Sequence, residues 1–211
     1  MIPISRLRPG RLHKKSDSTS NWLIIFLVWA AGLGAAAQFG KIAVSLDEFR
    51  TIYSALRTFH KQTPNEKSAA TRETLRNYVL FLANTGVRHG TEALGLKWRN
   101  IEWYLRDGAR HLAVNVDGKT NKRTAIARDR VVDFLWRQAQ LNPSIRVDDF
   151  DSLIAAKSDE AVFTTRLSAT VTVHNLNRAF NALLDELDLK TGADSRFRTL
   201  YSWRHFYATL D

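Results

Sequence analysis

Leu80-Phe81-Leu82-Ala83-Asn84-Thr85-Gly86-Val87-Arg88-His89-Gly90-Thr91-Glu92-Ala93-Leu94 is the stretch that decides the fold. Its first half closes a helix. Leu75, Tyr78, Val79 and Leu82 recur at helical spacing, and Asn84-Thr85-Gly86 ends the run with a glycine suited to a left-handed C-terminal cap. The second half opens another, since Thr91 to Leu96 reads as a short helix. Arg88 stands between the two ends. Its guanidinium is always charged and presents a rigid fork that suits phosphate oxygens. Glu92, about one helical turn on, is placed to orient it. A surface arginine paired with a glutamate has the same local pattern.

Working outward, Ser45 and Glu48 form a capping box, and Phe49, Ile52, Tyr53, Leu56 and Phe59 follow at helical spacing. Lys61 to Lys67, with Pro64 and Asn65, reads as a loop. Downstream the period changes. His111 to Val116 alternates with Leu112, Val114 and Val116 on one side, Asp117-Gly118 signals a turn, and Arg123 to Ala127 returns as a partner strand. Helical spacing resumes at Val132, Leu135, Trp136 and Ala139, and again at Val173, Leu176, Phe180, Leu183, Leu184 and Leu187. The last segment puts Leu200, Trp203, Tyr207 and Leu210 on one face. The expected fold is mainly α with a small antiparallel β-hairpin or sheet.

The chain has 211 residues, 45% of them hydrophobic and 25% charged, with no cysteine. It can bury a sizeable core, and it is neither a disordered tail nor a disulfide-stapled scaffold. Thiolate zinc sites, cysteine nucleophiles and iron–sulfur clusters are excluded. The formal charge of +10 points first to a polyanionic partner, either nucleic acid or an anionic membrane surface, and a generically basic soluble protein has the same surplus.

Residues 1–44 read as an atypical N-terminal extension. Arg6, Arg8, Arg11, Lys14 and Lys15 face only Asp17, and Trp22 to Ala37 carries no charged or amide side chain, so 22–40 is an apolar segment behind a basic leader. That order is the pattern of a signal peptide or signal anchor, and Ala35-Ala36-Ala37 adds a small-residue cleavage pattern. The run is short for a full span, and a basic leader held in the cytoplasm would export a DNA-handling domain. Membrane contact through 22–40 is therefore the less favoured reading, and a cytoplasmic, nucleoid-associated protein the favoured one. Residues 41–211 keep a surplus of six positive charges, so the basic character does not depend on the leader.

Two further basic clusters stand out. Lys119-Thr120 follows the Asp117-Gly118 turn at a hairpin tip, where a lysine can reach a ligand or donate a proton; with Lys122 and Arg123 beside it, it also reads as a solvated turn. Tyr201, Arg204 and His205 fall on or near one face of the last helix, offset from its apolar stripe. No Walker-type loop, HExxH or GxSxG occurs, and the six histidines lack metal-ligand spacing, so neither a metal nor a cofactor is expected.

Taken in order, these segments resemble the catalytic domain of the tyrosine recombinases, the phage integrase family. Leu80 to Arg88, continuing through Leu94-Gly95-Leu96-Lys97-Trp98, is similar to the first arginine box. Lys119-Thr120 sits where the family has its β-hairpin lysine, and Leu200-Tyr201-Ser202-Trp203-Arg204-His205-Phe206-Tyr207 resembles the second box. The resemblance covers residues 45–211. It implies a DNA breaking–rejoining fold in which Arg88 and Arg204 clamp the scissile phosphate, Lys119 protonates the leaving 5′ oxygen, and Glu92 and His205 support them from behind. It also implies double-stranded DNA as partner, self-association on DNA, and a phosphotyrosyl intermediate that needs neither metal nor ATP.

Four departures accompany the resemblance. Tyr201 stands where the family has histidine, and can donate a hydrogen bond to phosphate but is a poor proton shuttle. Glu92 follows Arg88 by four residues instead of three. The region before Ser45 does not read as a DNA-clamping domain. The chain ends at Asp211, so the third box and the nucleophilic tyrosine are absent from it; Tyr207, assigned to the apolar face with Trp203, is not a substitute. The expected catalytic domain is thus incomplete, a DNA strand transferase by family that binds backbone without cleaving in cis. The alternatives are a catalytically dead DNA-binding remnant and a membrane-anchored basic helical protein.

Overall fold

The computed structural model describes residues 44–118, 121–165, 169–192 and 195–210. The N-terminal extension up to residue 43 and the hairpin residues Lys119 and Thr120 lie outside them. Among the described residues, no helix is long and apolar enough to cross a membrane.

Helix α1 (Leu46–Leu56) begins at the expected capping box: the Glu48 N–H donates to Ser45 Oγ at 3.2 Å and the Ser45 N–H to Glu48 Oε2 at 2.8 Å. It buries Ile52 and Leu56, whereas Tyr53 stays exposed and stacks on Phe49. A 3₁₀ turn over Phe59–Gln62 takes up the start of the expected loop, and Asn65 caps the next helix by accepting from the Ser68 N–H at 3.0 Å.

Helix α2 (Glu66–Thr85) organises the domain. From Leu75 to Ala83 its residues are apolar on nearly every side, which suits a helix enclosed by others and not one with a single packed face. Helices α1, α4 (Val131–Gln140), α6 (Ala169–Glu186) and α7 (Ser202–Thr209) all pack against it. Asn77, buried on this helix, meets its polar needs from α4: its Nδ2 donates to Gln138 Oε1 at 3.0 Å, and its Oδ1 accepts from Arg137 Nε at 2.7 Å. Pairing of this kind removes the penalty that a lone buried amide would carry.

After the four-residue helix α3 (Thr91–Leu94), the chain builds a three-stranded antiparallel sheet. Its order is β1 (Ile101–Arg106), β2 (Ala109–Asp117) and β3 (Lys122–Ala127). Leu112, Val114 and Val116 are buried, as their alternation predicts. Strand β1 goes beyond the expected pair. It turns into β2 through Asp107 and Gly108, both at positive φ (51° and 77°), the geometry of a tight hairpin turn. The β2–β3 connection is longer than a two-residue turn: Asp117 pairs with Lys122, and the Gly118 N–H donates to the Asn121 carbonyl at 3.0 Å. A short helix α5 (Phe150–Ala155) covers β1, its Phe150 ring edge-on to Trp103.

The last helix corrects one expectation. Ser202, Trp203 and Phe206 are its buried residues, with Leu200 buried just ahead of it, while Tyr207 is only half-buried and Leu210 is exposed. Trp203 and Phe206 pack with Phe49 of α1, and Trp203 also meets Phe180 of α6. Tyr207 turns away from that stripe onto Gly86, the residue that ends α2. Just before α7, the buried Arg198 donates to the carbonyls of Leu189 (2.7 Å) and Thr191 (2.8 Å) and pairs with Glu48 of the first capping box.

Gly86 has φ 61°, and a Cβ added there would lie 2.4 Å from Tyr207 Cδ1. Gly86→Ala is therefore expected to cost about 2 kcal/mol or more, part from the left-handed backbone and part from the ring. In a double-mutant cycle with Tyr207→Ala, followed by urea denaturation, the ring's share should vanish and about 1 kcal/mol of backbone cost remain. Strict additivity of the two changes would refute the contact.

Candidate functional site

Three arginines from three parts of the chain converge beyond the C-terminal end of α2. Arg88 follows the Gly86 cap, Arg123 lies on β3, and Arg204 lies on α7. Two acceptors hold them. The Gly86 carbonyl accepts from Arg204 Nη1 at 2.7 Å and from Arg123 Nη2 at 3.3 Å. The Glu92 carboxylate accepts from Arg88 Nη1 (3.0 Å), the Arg88 backbone N–H (2.9 Å) and Arg123 Nη2 (2.8 Å).

The Glu92 side chain is fully buried, while those of Arg88 and Arg123 remain 43% and 35% exposed. The arginines thus have an anchored side and an open side. Burial alone would push the Glu92 carboxyl up. The Arg123 hydrogen bond, the Arg88 N–H and the charges of both guanidinium groups outweigh burial and hold it below its ordinary value. Arg204 is pressed below its ordinary value by burial first and by the charges of Arg88 and Arg123 second, yet a guanidinium stays charged at any physiological pH. Three positive groups against one carboxylate leave two positive charges in excess at a partly open surface. That is the electrostatic character of an anion site.

The hairpin turn closes on the same place. A Cβ added at Gly118 would lie 3.2 Å from Glu92 Oε1 and 3.7 Å from Arg88 Nη1, so the turn backbone rests directly on the Arg88–Glu92 pair. Lys119 is the next residue in the chain and lies outside the described residues.

Tyr201 immediately precedes α7 and is 43% exposed. Its ring meets His205 edge-on at 5.3 Å, and it is near enough to Arg204 to influence that guanidinium. The His205 imidazole is lowered by partial burial and by the charges of Arg204 and Arg196, so it is neutral at pH 7. Among the described residues no group of acidic, histidine or cysteine side chains could hold a metal ion.

Arg123 is the member of the cluster that the sequence reading left out of the site: it set the residue at the start of the partner strand and gave it no role. Its signal lies in the strand period: Arg123, Ala125 and Ala127 share the inward face of β3, while Lys122, Thr124 and Ile126 face out. A second overlooked pair lies behind the site. The Gly90 N–H donates to Tyr78 Oη at 3.4 Å, and Tyr78 Oη lies 2.8 Å from His89 Nδ1. Burial raises the Tyr78 hydroxyl and lowers the His89 imidazole to about 4. A neutral imidazole and a neutral hydroxyl can share that contact without either carrying a buried charge.

None of the protein-family models and none of the curated proteins compared with the chain matches it. Among solved structures it is similar to one described as "FLP Recombinase-Holliday Junction Complex I", at 11% identity and a TM-score of 0.36. That alignment covers 82% of this chain and 50% of the other, so the chain spans about half the length of that recombinase chain.

Two pH effects follow. Because the folded Glu92 pKa lies below its ordinary 4.5, its stabilising contribution is complete above 4.5 and is lost as pH falls through the lower folded value. Glu92→Gln should cost about 3 kcal/mol at neutral pH, and the gap to the native chain should close as the solution is acidified below that point. The opposite group acts in a different window. The unfolded His89 binds a proton near 6.5 and the folded one only at about 4, so stability is lost as the pH drops from the first value to the second. Melting temperatures of His89→Gln should be flatter than those of the native chain across that window, and parallel curves would count against a buried neutral imidazole.

Proposed function

We propose that this domain clamps a phosphodiester of duplex DNA between Arg88, Arg123 and Arg204, and that it does so as a DNA strand-transfer domain of the tyrosine-recombinase type. The observation that carries the reading is the sharing of acceptors. Arg204 donates to the Gly86 carbonyl, 118 residues earlier in the chain, and Arg123 links that carbonyl to the Glu92 carboxylate that also holds Arg88. Fixed in this way, the guanidinium groups cost little further ordering when an anion arrives.

The charge count agrees with the chemistry. A phosphodiester carries one negative charge and gathers a second as a nucleophile adds to phosphorus, so an excess of two positive charges favours the transition state over the ground state. Tyr201 supplies a neutral hydroxyl to a phosphate oxygen. Lys119, next to the turn that rests on Arg88 and Glu92, serves as the general acid for the leaving 5′ oxygen. Glu92 and His205 act through the arginines and Tyr201 and do not touch the phosphate. The attacking tyrosine is not assigned to a residue of this chain. Double-stranded DNA is the partner, and the basic surplus of residues 41–211 provides the wider attraction.

The three arginines share one phosphate contact. Replacing Arg88, Arg123 or Arg204 singly with Ala should make the log–log salt dependence of duplex binding shallower, by up to about 0.9. In a chain that carries the nucleophile, Arg88→Ala and Arg204→Ala should abolish strand transfer while sparing most duplex binding. Unchanged salt slopes in all three variants would sink the assignment.

A further inference from the structure

The C-terminal end of α2 holds a fourth arginine. Helix carbonyls point toward the C-terminus, so the last of them face the end where the arginine cluster sits. The Gly86 carbonyl takes Arg204 and Arg123, and the Asn84 carbonyl, two residues earlier, takes the Arg128 backbone N–H at 3.3 Å. Arg128 follows directly on β3, the strand that carries Arg123. Its guanidinium lies over the Tyr207 ring, 5.3 Å from the centroid. The edge of the same ring lies against Gly86, where an added Cβ would be 2.4 Å from Cδ1 and 2.8 Å from Cε1. One ring therefore separates Arg128 from the glycine on which the clamp is anchored. Tyr207 itself is one helical turn from Arg204 on α7.

Stacking occupies the face of a guanidinium and leaves its in-plane donors directed sideways, the geometry in which arginine meets phosphate oxygens. Arg128 and Tyr207 are each half-buried, so the pair is supported from within and still reaches the surface. A side chain held in this way loses little freedom when an anion arrives. Duplex DNA carries one charge for roughly every 3.4 Å of each strand, so a cation one ring's width from the clamp meets a different linkage from the one the clamp holds. We infer that Arg128, positioned by Tyr207, is a second phosphate-binding site of the same interface and takes the phosphodiester that adjoins the clamped one. The clamp fixes one point of the DNA backbone, and a second point fixes the direction in which the strand runs past it. This rests on the phosphate-clamp reading and extends it.

The test is the salt dependence of duplex binding by the full chain, plotted as log affinity against log salt. Arg128→Ala should make the slope shallower by about 0.9 and weaken duplexes of unrelated sequence equally. Because the site is separate from the clamp, the same reduction should appear when Arg128→Ala is made in an Arg88→Ala chain. Arg128→Lys, which keeps the charge, should retain most of the native slope. Tyr207→Leu keeps apolar bulk on Gly86 without a π-face. It should lose part of the affinity in the native chain and none in an Arg128→Ala chain. Native-like melting of each variant guards against misfolding. An unchanged slope in Arg128→Ala overturns the site. So does a reduction that vanishes in the Arg88→Ala background, since Arg128 then belongs to the clamp. Equal losses in Arg128→Lys and Arg128→Ala give the residue a packing role and overturn it too. The clamp is judged separately: if Arg88→Ala, Arg123→Ala and Arg204→Ala leave the slope unaltered while Arg128→Ala lowers it, the clamp fails and the Arg128 contact stands.

Discussion

A buried helix that stops inside a domain leaves carbonyl groups without intrahelical partners, and something must satisfy them. At the end of α2 the left-handed turn of Gly86 provides the answer. Its N–H closes back on Leu82, and its own carbonyl is presented to Arg204 and Arg123. The absence of a side chain also lets the Tyr207 ring lie against it. The last helix and the sheet are thereby drawn to one point, and the charged cluster follows from how a helix terminus is satisfied. Without that terminus the three arginines would belong to three unrelated surfaces.

Glu92 sets the charge balance. One buried carboxylate facing two guanidinium groups is tolerable where it would not be alone, because hydrogen bonds and opposite charge together offset the loss of water. A second carboxylate at this place would halve the positive excess, and no carboxylate would leave three repelling cations with Arg88 unheld. The intermediate arrangement holds the arginines in position and keeps their outer faces available.

Much of this was legible in the chain, for identifiable reasons. The Ser45–Glu48 box, the Gly86 cap and the Leu112–Val116 alternation are local signals, and local physics determined the outcome. Strand β1 was missed although Asp107-Gly108 is as clear a turn signal as Asp117-Gly118, because its alternation is blurred by the exposed Tyr104 and Leu105. Arg123 was placed on its strand but left out of the site, because the inward face that the two-residue period gives it was not followed to the arginine. Tyr207 was misplaced by counting turns of helix from Leu200, two residues before the helix begins at Ser202, so that Phe206 took the buried position instead. The meeting of Arg88, Arg123 and Arg204 is a tertiary result. Resemblance pointed to the first and last of these, and no periodicity could have brought them together.

The pairing of Arg198 with Glu48 spans 150 residues of sequence, and the packing of Phe49 on Phe206 spans nearly the whole described domain. On the ribosome, therefore, α1 emerges long before the residues that complete its surroundings. At roughly 5–20 residues per second, that interval amounts to about 8–30 s. During it the apolar face of α1 has no native cover from α7. The domain can close over α1 only once α7 has been made, and the cost of joining such distant segments falls on the folding rate. The nascent chain is then a natural client for holding chaperones, a burden imposed by fastening α1 to α7.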